Sequence, residues 1–112
     1  MFVPIRIDGG HAVITPRGVI DLDTQPHLYA AVDSLPASLT TVSWDLRKVT
    51  FMDSAGLHLL KHQHRILRAR GGTLQLTGPQ PQPLHLLHLA AHLHPAGPWP
   101  SLLATLPTTN AA

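Results

Sequence analysis

An apolar run, Val49-Thr50-Phe51-Met52, ends in Asp53-Ser54-Ala55-Gly56 and gives way to a segment whose apolar residues recur at helical spacing from Leu57 to Arg70. A short strand that runs straight into a long amphipathic helix buries both apolar surfaces most simply in a sheet covered by helices. That junction constrains the fold more than any other stretch. Asp53 and Ser54 are both favoured N-cap residues, which puts Ser54 at or just inside the helix N-terminus. There its hydroxyl sits where free backbone N–H groups and the helix dipole favour negative charge, a place suited to an added phosphate. As a local pattern alone, the same pair is accounted for by an ordinary helix cap.

The rest of the chain supports an α/β fold. Phe2 to Ile7 and His11 to Thr15 alternate in character around Asp8-Gly9-Gly10, which predicts a β-hairpin, with Pro4 favouring an edge position. Gly18 permits a bend, and Asp23 or Thr24 opens a first helix with Pro26 in its first turn, an apolar stripe of Leu28, Ala31, Val32 and Leu35, and a stop at Pro36. Thr41 to Leu46 and Thr73 to Thr77 alternate as strands of one sheet, and Trp44 is expected in the core. On the long helix Leu57, Leu60, His64 and Leu67 share one side, while His58, Lys61, His62, Arg65 and Arg68 form a basic, solvated face. Gly71-Gly72 ends it. A third helix is predicted from Pro83 to about His92, no regular structure from His94 to Pro100, a short helix capped by Ser101 up to Leu106, and a frayed tail from about residue 107.

Three stretches carry a family resemblance. Phe51-Met52-Asp53-Ser54-Ala55-Gly56-Leu57 resembles the signature of the STAS domain family, which includes the bacterial anti-sigma factor antagonists; Gly18-Val19-Ile20-Asp21 resembles that family's Gly-x-x-Asp; and Ala69-Arg70-Gly71-Gly72-Thr73-Leu74 resembles the Gly-Gly after its long helix. Together they span roughly Ala12 to Leu93. The resemblance implies a single STAS domain over residues 1–112, a small mixed β-sheet packed against three to four α-helices. It implies an anti-sigma factor antagonist that binds an anti-sigma serine kinase, releases a sigma factor, and is switched off when the kinase phosphorylates the serine after the motif Asp, here Ser54. The implied partner-binding surface comprises Asp21, Asp53, Ser54, Ala55, Gly56 and His58. Ala55 departs from members that carry a second hydroxyl at that position, which leaves Ser54 as the acceptor. A STAS scaffold or partner subunit of a stress complex or transporter, with no sigma factor in its circuit, is the alternative use.

Composition removes other classes. With 112 residues, 44% of them hydrophobic and 12% charged, the chain is expected to form one globular domain, and with no cysteine it has no disulfide or thiolate metal site. The net charge of +2 comes with scattered basic residues rather than a clustered recognition helix, so no nucleic-acid partner is expected. No long apolar run or signal-peptide pattern is seen, so a soluble cytoplasmic protein without a membrane partner is expected. His85, His88 and His92, and also His58 and His62, lie at spacings that share a helix face, yet no nearby carboxylate or cysteine completes a zinc site, and the resemblance implies neither metal nor cofactor. Asp53-Ser54-Ala55-Gly56 is not a Gly-x-Ser-x-Gly elbow, and phosphate-loop and dinucleotide fingerprints are absent, so no enzymatic activity is expected.

Overall fold

The computed structural model describes residues 3–107, so Phe2 of the predicted hairpin and the tail predicted to fray beyond Pro107 lie outside the described residues. The elements run β1 (Ile5–Asp8), β2 (His11–Ile14), β3 (Gly18–Ile20), α1 (Gln25–Asp33), β4 (Thr41–Asp45), β5 (Val49–Met52), α2 (Ser54–Ala69), β6 (Thr73–Thr77), α3 (Pro81–Leu93) and α4 (Trp99–Ala104). β1 and β2 form the expected hairpin, its turn held by Gly9 at φ 60°, a conformation that side-chain-bearing residues resist. A mixed sheet has the order β1-β2-β4-β6, with β2, β4 and β6 parallel, while β3 and β5 pair separately as a parallel ladder. Pro16, which has no N–H to donate, and Gly18, at φ 79°, turn the chain out of the first sheet and into the second.

Register explains the core. Ile14, Trp44 and Leu76 stand side by side across β2, β4 and β6, as do Ala12, Val42 and Leu74, and all six are buried. Complete burial of an aliphatic side chain of this size contributes about 1.5–3 kcal/mol relative to leaving it in water. Helices cover this face, and Val13, Ser43 and Gln75 form a row on the other.

The buried face of α2 differs from the predicted one. Ala55, Gly56, Leu59, Leu60, Gln63 and Leu67 are buried, whereas Leu57 and His64 are only half-buried. Gln63 accounts for the rotation. Its Oε1 accepts a hydrogen bond from the buried Trp44 indole Nε1, so a polar residue occupies a core position that an apolar count passes over. α2 ends at Ala69 with Arg70 as its cap, and Gly71, at φ 74°, lets the Gly72 N–H return to the Leu67 carbonyl at 2.8 Å.

The C-terminal helices correct two boundaries. α3 begins at Pro81 rather than Pro83; both prolines lie in a first turn whose N–H groups have no helical partner, so neither breaks it. α4 begins at Trp99, within the stretch predicted to be irregular, and Ser101 lies inside the helix instead of capping it. Pro100 occupies an early position where its missing N–H is not needed. The free edge of β6 is closed there, since the Leu76 N–H donates to the Thr105 hydroxyl at 3.0 Å.

Candidate functional site

β3 and β5 end together. Ile20 pairs with Met52, and the Asp53 N–H donates to the Ile20 carbonyl at 3.2 Å, so Asp21 and Asp53 each follow the last paired residue of adjacent parallel strands. The two loops that carry the predicted site residues therefore lie side by side at one end of the ladder.

Asp53 is the N-cap of α2. Its backbone is extended, and its carboxylate accepts from the Ala55 N–H at 2.8 Å. Ser54 is the first residue of α2 and is exposed. Among the described residues its hydroxyl makes no hydrogen bond to another side chain. His58, one turn on, is also exposed. Ala55 and Gly56, predicted at the partner surface, are buried beneath it instead. A Cβ on Gly56 would lie 2.3 Å from the Met52 Cγ and 3.2 Å from the Ile20 Cγ2, so only glycine lets α2 cross this close to β3 and β5.

Asp21 serves its own turn. Its Oδ1 accepts from the Asp23 N–H at 3.0 Å and the Thr24 N–H at 3.1 Å, while the Thr24 hydroxyl accepts from the Asp21 N–H and donates to the Val19 carbonyl, each at 3.0 Å. This is the loop-acid role that the residue type favours at a turn before a helix. α1 is tied to the site by Gln25, whose Nε2 donates to the Ala55 carbonyl at 3.1 Å.

Two features escape the sequence patterns. Gln82, which precedes the predicted helix start at Pro83, lies in the first turn of α3 and accepts from the Met52 N–H and donates to the Met52 carbonyl, both at 2.8 Å, imitating a strand partner along the edge of β5. Phe51 is 44% exposed and Val19, its partner across the ladder, 39%, with Leu22 further exposed on the loop that carries Asp21. Strict alternation puts Phe51 on the face of Val49, but the register slips between Gly18 and Val19, and the resulting bulge turns Phe51 outward. The bulge has no signature among the residue types.

Beside Ser54 lies a cavity of about 780 Å³, walled by Leu57, His58 and Lys61 of α2, by Leu86 and Leu93 of α3, and by Trp99. No helix among the described residues is long and apolar enough to cross a membrane. The Ser54 hydroxyl thus stands exposed at a helix start, beside the exposed apolar side chains of Leu89 and Leu93.

The family model described as Mlab, STAS domain matches residues 3–93. Among solved structures, the anti-sigma factor antagonist SpoIIAA in its unphosphorylated form is 21% identical, with a TM-score of 0.68 over 97% of this chain and 90% of that one. An anti-sigma factor antagonist from Mycobacterium paratuberculosis is 24% identical, with a TM-score of 0.66 over 97% of this chain and 87% of that one. The SulP transporter STAS domain from Vibrio cholerae is 17% identical, with a TM-score of 0.63 over 93% and 78%. At these identities the likeness establishes the fold. No curated protein matches the chain in sequence.

Proposed function

The chain belongs to the STAS domain family, and from that premise we propose that it is an anti-sigma factor antagonist, a protein-binding module whose unphosphorylated form binds an anti-sigma serine kinase and which phosphorylation of Ser54 switches off. The observation that carries the reading is the Ser54 hydroxyl, exposed at the first position of a helix whose cap is supplied by the neighbouring Asp53. In this reading Asp21, Asp53, Ser54 and His58 face the partner, and Ala55 and Gly56 hold the surface in place.

The switch needs no refolding. Phosphorylation adds nearly two negative charges and three acceptor oxygens at a helix start that tolerates them within the domain. Across a docked interface the same charge is unpaired and desolvated, which costs several kcal/mol, on the order of a thousandfold in affinity.

A second reading rests on the comparisons: the matching family model bears the name Mlab, and structural relatives include STAS domains of a SulP transporter and a sulfate transporter family protein. In that use the chain is the STAS subunit of a transporter or scaffold, bound through the same surface without a sigma factor. Affinity capture from the native host, with bound proteins identified, separates the two. The first reading expects a serine kinase retained by the parent and by Ser54→Ala, lost from Ser54→Asp, and able to phosphorylate the parent but not Ser54→Ala. A transporter component in place of the kinase, retained equally by Ser54→Asp, overturns it.

A further inference from the structure

The α2 face beyond Ser54 has a charge pattern that the switch does not use. Two cavities meet along it: the one of about 780 Å³ beside Ser54, and a second of about 650 Å³ lined by Lys61, His64, Arg65 and Arg68 with Ser101 of α4. They share Lys61 and the Ala96-Gly97-Pro98 turn, so they form one groove along α2. At 1.5 Å per residue, the stretch from Ser54 to Arg68 runs about 21 Å, the length of about four turns of a partner helix.

The groove is graded. Its first half is apolar, with Leu57, Leu86 and Trp99 in the wall and Leu89 and Leu93 left 44% and 61% exposed on α3. Its second half is cationic. None of the chain's six acidic residues lines either cavity, and the ion pairs among the described residues are Arg47–Asp45 and His62–Asp33, so Lys61, Arg65 and Arg68 face the groove without an anion. The half-buried His64 registers the excess: burial first, and then the charge of Arg68, hold its imidazole below the ordinary histidine range. A solvated helix face ordinarily mixes both signs, and contiguous exposed apolar surface rimmed by polar residues marks an interaction site.

We propose that this groove docks an amphipathic helix of a protein partner, with the helix's apolar residues against Leu57, Leu89 and Leu93 and its carboxylates against Lys61, Arg65 and Arg68. The proposal rests on the reading of the chain as a protein-binding module and gives the partner a chemistry: about four turns of helix, apolar at the Ser54 end and acidic at the other. Apolar burial supplies the affinity, and the cationic strip supplies orientation and rate of encounter. Ser54 sits at the apolar end, so a phosphate there falls where the partner helix offers no cation.

The test uses the intact chain and a displayed library of 16-residue helical peptides, randomised at the surface positions, and so requires neither a kinase nor a modified Ser54. Enriched peptides are expected to carry leucine-like residues at one end and aspartate or glutamate at the other, and to perturb Trp99 fluorescence. Their affinity is expected to fall at least tenfold in the Lys61→Gln/Arg65→Gln/Arg68→Gln variant, to fall similarly in Leu89→Ser/Leu93→Ser, and to weaken with salt. Because the substituted side chains are exposed, circular dichroism is expected to match the parent. Enrichment of neutral or basic peptides, no enrichment, or binding that survives the triple glutamine variant overturns the proposal. So does binding to phosphatidylglycerol vesicles without peptide enrichment, which assigns the strip to an anionic membrane. Each failure leaves the Ser54→Ala and Ser54→Asp comparison able to succeed independently.

Discussion

Replacing Gly56 by alanine tests how α2, and with it Ser54, is seated. On helix propensity alone, Gly56→Ala in the first turns of α2 is stabilising by about 1 kcal/mol. The packing opposes this. The new Cβ would stand 2.3 Å from the Met52 Cγ and 2.6 Å from the Met52 Sδ, far inside the contact separation of about 3.5–4 Å between carbon atoms. Met52 is fully buried, and Gln82 holds both its N–H and its carbonyl, so neither its packed thioether nor its backbone has much room to yield. Overpacking of this kind costs about 1–3 kcal/mol. With the contact this close the upper part of that range applies, and Gly56→Ala is expected to destabilise the chain by about 1–2 kcal/mol net. In a Met52→Ala background the obstruction is gone and only the 3.2 Å approach to the Ile20 Cγ2 remains, so the same substitution is expected to stabilise by about 0.5–1 kcal/mol. Urea unfolding of the four variants, followed by the fluorescence of Trp44 and Trp99, measures both effects. A coupling between the two sites below about 0.5 kcal/mol, the level expected of independent positions, refutes the argument that Gly56 is dictated by Met52.

Four other outcomes follow from the same interactions. Gln63→Leu is expected to destabilise by about 1–3 kcal/mol by stranding the Trp44 indole N–H, and the loss should largely disappear in Gln63→Leu/Trp44→Phe, as read by urea midpoints. Asp21→Ala is expected to cost about 1 kcal/mol by releasing the Asp23 and Thr24 N–H groups, whereas Asp21→Asn, which keeps an acceptor oxygen, should cost a few tenths in the same assay. Gln82→Ala is expected to speed amide hydrogen exchange at Met52 well before it alters exchange in β4. The depressed His64 means that the folded chain binds fewer protons than the unfolded one, so stability is complete above the ordinary value of 6.5 and declines as the pH falls through it toward the folded pKa; His64→Gln should remove that part of the pH dependence in thermal melts.

The sequence was most legible where one residue type has one dominant use. Asp53 before an amphipathic run could be read as a cap, and it caps Ala55. Thr41 to Leu46 and Thr73 to Thr77 alternate and pair in register as β4 and β6, although the strand in β4 ends at Asp45. Failures came where a side chain takes a role that its type does not announce. Gln63 and Gln82 are polar in ways that suggest solvent, but one satisfies a buried indole and the other a strand edge, partners fixed only after the chain has folded. The outward turn of Phe51 depends on a slip of register between strands, a relation between two segments and not a property of either. Pro100 argues against a helix in the sequence yet stands in the first turn of α4, because the effect of proline depends on its position within the helix.

Four contacts converge on the surface around Ser54. Asp53 fixes the first turn of α2, Gly56 lets that turn rest on Met52 and Ile20, Gln25 ties it to α1, and Gln82 fastens the end of β5 that leads into it. A surface held from this many sides enters a complex with little left to order, and less ordering cost means that more of the contact energy appears as affinity. Under the proposed switch it also limits how a phosphate on Ser54 can act. A loosely held helix start would let a phosphate swing aside and re-form the interface in a shifted position, whereas a fixed one leaves the added charge where the partner must dock. Under the proposed switch, weakening the seat through Gly56→Ala should therefore lower partner affinity while also narrowing the difference in affinity between the parent and its phosphorylated form. A seat that matters only for stability would leave that ratio unchanged.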